Sequence, residues 1–246
     1  MGKKKSYIIL FGLLVPVLAL FGWGLNARFN GTETVHYRFE ASGHNEHNLT
    51  IAIPFEDYRE YRAIPRPSWD DYRDKPNNHS YYDFFAEYKS IASHPDDDYI
   101  IQAVASKLEE TASAAGLDDK EKAELALNFV QSFTVTSDNA TTPFNEYPRY
   151  PLETLFERRG DCEDTSILLA ALLTEMGYDV ALLVFEDYDH IGLGINMPPE
   201  YKMYGNSWIH DDDRRYWYLD TLGKQSIGWC PEPYHQTSAY VYPIGQ

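Results

Sequence analysis

Hydrophobic and polar positions change period several times along the chain. Between residues 32 and 55, Val35, Tyr37 and Phe39 alternate with polar positions. Leu49, Ile51 and Ile53 repeat the alternation beyond Gly43. A period of two on both sides of a glycine predicts a hairpin-like pair of strands with one buried face. Residues 56–80 crowd proline, charge and aromatic rings without either period, and read as an ordered wrap or as a spacer. From Asp96 the spacing turns helical. Asp96, Asp97 and Asp98 suit a helix N-terminus, and Ile101, Val104, Ala105 and Leu108 recur at helical spacing up to Gly116. The stretch LDDKEKAELALNFVQSF opens a second helix with Ala123, Leu127 and Val130 on one side, and a loop with three prolines follows.

The next helix has the plainest signal in the chain. Asp161 stands at its cap position, acidic residues fill its first turn, and Gly177 ends it. Ile167 to Leu173 and Met176 cover nearly every face, which predicts a buried helix. DVALLVF, HIGLGI and RRYWYLD then read as strands, and SAYVYPI as a late edge strand. Two helices and a buried third, followed by mostly antiparallel strands, predict an α+β fold.

The first 28 residues are of another kind. Lys3, Lys4 and Lys5 precede a stretch without charge from Tyr7 to Leu25, which nearly spans a bilayer core as a helix. Trp23 and Arg28 close it as interfacial residues would, and no small-residue cleavage site follows. Residues 1–28 are expected to be a single-pass membrane anchor with a cytoplasmic N-terminus, and residues 29–246 to lie outside the cytoplasm. Residues 29–95 form a strand-containing segment, and 96–246 the principal domain.

Charge narrows the partners. Beyond residue 28 the chain holds 17 basic residues against all 38 acidic ones, which excludes nucleic acid and anionic lipid surfaces as partners of that region. Four tripeptides, starting at Asn30, Asn48, Asn78 and Asn139, fit the glycosylation pattern of an external face. There is no P-loop, dinucleotide fingerprint, H-E-x-x-H or C-x-x-C, so neither a nucleotide cofactor nor a metal is expected. HDDDRR at 210–215 reads as a solvated acidic turn, since neighbouring strand side chains alternate faces.

One of the two cysteines, Cys162, falls in the first turn of the buried helix, where free amides and the helix dipole favour a thiolate. His190 opens a later strand and Asp220 closes another, so all three stand at element ends, where a scaffold can gather side chains around one cleft. A disulfide between Cys162 and Cys230, or an inert thiol, is the alternative reading.

YPLETLFERRGDCEDTSILLAALLTEMGYDVALLVF, then HIGLGIN, then YWYLDTLG and IGW resemble the transglutaminase-like superfamily of papain-related cysteine enzymes, over roughly residues 96–230. The chain is most similar to the membrane-anchored or secreted archaeal and bacterial versions. The resemblance implies a buried cysteine-bearing helix packed on an antiparallel sheet. It implies Cys162 as nucleophile, His190 as general base and then acid, and Asp220 as the group that orients it. The substrate would be an amide or peptide bond of a protein or cell-envelope polymer, cleaved by hydrolysis; protein crosslinking, or a surface binding module without turnover, are the rivals. The Cys162 amide and the Gln131 side chain are candidates for binding the oxyanion. His190 departs from the pattern in being followed by Ile191 and Gly192 rather than tryptophan.

Overall fold

The computed structural model describes residues 31–41, 45–68, 80–93 and 98–245. The expected anchor over 1–28 lies outside them, as does most of the aspartate run at 96–98; among the described residues no helix is long and apolar enough to cross a membrane. The chain begins with an antiparallel hairpin, β1 (Thr32–Ala41) and β2 (Asn45–Pro54), with Val35, Tyr37, Phe39, Leu49, Ile51 and Ile53 all buried on one face. That face shares its core with residues far along the chain. The Tyr37 ring meets Phe129 and Phe133 with centroids 5.2 and 5.7 Å away, and its hydroxyl donates to the Leu155 carbonyl.

Residues 56–80, which carried no clear period, contain a helix. Helix α1 (Phe55–Ala63) buries Tyr61, and α2 (Ser80–Ala92) buries Phe84, Phe85 and Tyr88. Helices α3 (Asp98–Ala115) and α4 (Asp119–Val130) come next, the latter opened by a capping box between Asp118 and Glu121. Each helix leaves four amides without partners at its start, and this box satisfies two of them. A two-residue strand, β3 (Thr134–Val135), and the short helices α5 (Asp138–Thr141) and α6 (Pro151–Glu157) lead to β4 (Arg159–Gly160), which pairs in parallel with β3.

Helix α7 (Cys162–Glu175) is the axis of the molecule. Glu163 through Leu173 are all buried, because α2, α3, α4 and α6 pack around it and the sheet closes its remaining side. The main sheet has five antiparallel strands in the order β7 (Ser207–Ile209), β8 (Arg215–Leu219), β6 (His190–Asn196), β5 (Asp179–Phe185), β9 (Tyr240–Pro243). β5 is buried along almost its whole length, as expected of a strand covered on both faces. This is a mixed α/β architecture built on an antiparallel sheet.

Candidate active site

Helix α7 and β6 meet at their N-terminal ends. β8 pairs with β6 only from Leu193 to Ile195, and one step ahead the backbone of Ile191 bonds to α7 instead. Its carbonyl accepts from Ser166 Oγ at 3.3 Å, and its backbone is among the groups that bear on the Cys162 thiol. The start of α7 is thereby docked beside the residue that follows His190. Both cysteines are free thiols.

What surrounds the thiol differs from the expectation of a bare helix N-terminus. The thiol donates to Glu163 Oε2 at 3.1 Å, and Glu163 is itself buried. Burial first, then the Glu163 charge, push the Cys162 thiol well above its ordinary value. The dipole of one helix end is a fraction of a charge, and burial outweighs it; burial and then Asp161 also hold Glu163 itself well above its ordinary value. Cys162 is a protonated thiol at neutral pH.

The imidazole of His190 packs in a cluster with two other rings. Phe185 lies 5.8 Å away, and Tyr234, from the short turn Glu232–Tyr234, lies parallel to it at 4.8 Å, with the Phe185 and Tyr234 rings themselves 5.0 Å apart. Burial lowers its pKa to about 4, so the ring is neutral at physiological pH. Nε2 lies 2.9 Å from the Tyr218 hydroxyl. No hydrogen bond joins His190 to the thiol or to Asp220 among the described residues.

Asp220 follows β8 and is buried, and burial raises its pKa. Its Oδ1 accepts from the Leu222 amide at 2.9 Å, so the carboxylate shapes the turn after the strand. Gln131 does not offer a free donor for an oxyanion. Its Nε2 donates to the Asp220 carbonyl at 2.7 Å and to the Gln225 carbonyl at 3.0 Å, bracing the same turn. Thr165, one turn into α7, adds a 2.7 Å hydroxyl contact to Thr221. The structure thus brings Cys162, His190 and Asp220 to one end of the sheet, with Glu163, Tyr218 and Tyr234 between and around them.

An acidic shell that the sequence did not disclose lies behind the thiol. Asp138, Asp161 and Glu163 each present a carboxylate oxygen within 4.8 Å of the others, a set that is able to hold a metal ion. Fully buried Arg149 is the countercharge: Nη1 bonds Asp138 at 2.7 Å and also Asp164, and Nη2 donates to Thr141 at 2.6 Å. One guanidinium does not neutralise so many acids. Burial and then Asp161 push Asp138 up to about 6, and the same two causes hold Glu163 and Asp164 well above their ordinary range. Gly160 lets α7 come this close, since a Cβ there would lie 2.5 Å from that of Asp164. A cleft of about 920 Å³, lined by Met176, Tyr178, Met197, Met203 and Trp217, opens at the other end of β5 and β6.

No family model matches the chain, and no curated protein matches it. Among solved structures, EGTA-treated LapG of Legionella pneumophila aligns at 17% identity and a TM-score of 0.37, covering 64% of this chain and 78% of that one. A second LapG structure from the same organism gives the same identity and TM-score and covers 80% of its own chain. The calcium-bound form covers 56% of this chain and 83% of its own, with a TM-score of 0.32.

Proposed function

We propose that the chain is a transglutaminase-like thiol hydrolase of amide or peptide bonds, membrane-anchored and extracytoplasmic, acting on a protein or cell-envelope polymer. The observation that carries this reading is the hydrogen bond from Ser166 Oγ to the Ile191 carbonyl, which docks the start of the cysteine helix beside the residue that follows a neutral imidazole. A protonated thiol and an uncharged imidazole are the resting forms of a pair in which the base takes the proton during attack. The sulfur forms a bond to the substrate carbonyl carbon as its proton passes to His190. The tetrahedral oxyanion collapses, the C–N bond breaks, and His190 returns the proton to the departing amine. Water then attacks the thioester with His190 as base, releasing the acid and restoring the thiol. The Cys162 amide is the remaining candidate for binding the oxyanion, and Asp220, whose Oδ1 accepts from the Leu222 amide, holds the turn after β8.

A second reading, a binding module without turnover, draws on the hydrogen bond that ties the thiol to Glu163. Alkylation by iodoacetamide between pH 5 and 9, followed by peptide mass spectrometry, separates the two. The hydrolase reading expects Cys162 to react well ahead of buried Cys230, and His190→Ala to slow Cys162 about ten-fold or more at pH 7. Equal and slow reaction of both cysteines, indifferent to His190, would favour the binding module. Cys162→Ala should abolish release of amine from peptide substrates, and added lysine amines test transfer against hydrolysis.

A further inference from the structure

We propose that Tyr218, rather than Asp220, is the residue that positions the His190 imidazole, an inference that rests on the thiol-hydrolase reading above. Tyr218 sits within β8 opposite Gly194, yet its ring leans along β6 so that the hydroxyl reaches His190 Nε2 at 2.9 Å. The lean needs space that one residue supplies: a Cβ on Gly192 would lie 2.5 Å from the Tyr218 ring. Any larger residue at 192 would force the phenol off the imidazole. The ring is almost fully buried, and its hydroxyl makes no other hydrogen bond among the described residues. Burial raises the phenol's own ionisation far beyond its ordinary value, so the hydroxyl remains a neutral partner.

Asp220 is already committed, its Oδ1 accepting from the Leu222 amide. With Nε2 facing the phenol, Nδ1 is the nitrogen left to exchange a proton with the thiol. That assignment requires the Nε2–H tautomer, with the Tyr218 oxygen as acceptor. A neutral acceptor also stabilises imidazolium less than a carboxylate would, which agrees with a weakly basic ring. The titratable groups around the ring are Tyr218 from β8, Tyr234 on its face, Cys162 and Glu163 from the first turn of α7, Asp220 at the end of β8, and Asp189 before it in the chain.

The test uses the full chain labelled with ¹⁵N-histidine, with the His190 signals assigned by their loss in His190→Gln. The wild-type protein is expected to show the Nε2–H tautomer at pH 7. Tyr218→Phe should shift the ring toward Nδ1–H and slow alkylation of Cys162 by iodoacetamide about ten-fold, while Asp220→Asn should leave both within two-fold. Gly192→Ala retains the phenol but removes its space and should behave as Tyr218→Phe does, with circular dichroism checking that each variant is folded. A wild-type ring that carries Nδ1–H, or a tautomer that responds to Asp220→Asn and not to Tyr218→Phe, would overturn the proposal. If instead His190→Ala leaves Cys162 alkylation unchanged, the hydrolase reading fails, and the ¹⁵N signals still decide what orients the ring.

Discussion

At Cys162 two influences of opposite sign meet. The open amides of α7 favour a thiolate; the burial of the site and the neighbouring Glu163 oppose it, and the second pair prevails. Glu163→Gln keeps a hydrogen-bond acceptor of the same shape and removes a carboxyl that burial and Asp161 hold well above its ordinary value. Alkylation of Cys162 at pH 7 should then stay within about two-fold, since burial holds the proton; an acceleration of about ten-fold, the change expected if the thiol pKa falls by about one unit, would mean that Glu163 is ionised beside the sulfur. That Cys162 opens the buried helix and His190 opens a strand was legible from the sequence. The dominance of the acids was not, since nothing in GDCED tells whether its carboxylates face water or the protein interior. Tyr218 escaped for another reason. It lies mid-strand, and its reach to His190 depends on the register of β8 against β6 and on the bare backbone of Gly192.

The elements hold the site through a few buried polar ties. Arg149 binds Asp138 of α5 and Asp164 of α7 together with Thr141, so one side chain fixes the loop before α6 against the first turn of the cysteine helix. Replacing it with methionine strands buried carboxylates and should cost roughly 3–5 kcal/mol in denaturant unfolding. Gln131 braces the turn behind Asp220 with two hydrogen bonds to carbonyls, and Gln131→Ala should cost about 1–3 kcal/mol by the same measurement. The hairpin, α3, α4, α7 and strands β5, β6, β8 and β9 follow the periods of their sequences. Helix α1 does not, because FEDYREYRA buries only Tyr61 and shows no apolar stripe to read. Nor does local sequence indicate that the last strand returns to pair with β5, a contact between residues about 60 apart.

For the molecule as a whole, the surplus of acid couples folding to pH. The buried carboxyls of Asp138, Glu163 and Asp164 are raised, Asp138 to about 6, and bind more protons folded than unfolded, so each contributes stability that is lost as pH rises. His190 acts the other way: held near 4 when folded, it makes stability rise with pH up to about its ordinary 6.5. Above pH 6.5 only the acids still act, and the melting temperature should fall between pH 6.5 and 8; a flat or rising profile there would contradict the buried acidic shell. The chain from the end of β8 to the start of β9 is anchored in the sheet at both ends and carries Tyr234 onto the imidazole. It is in effect a clasp, keeping a phenol against His190 at the high local concentration that a closed loop provides. A single peptide cut between residues 222 and 233 would turn that fixed cover into a loose end, and the His190 pKa should climb from about 4 toward 6.5.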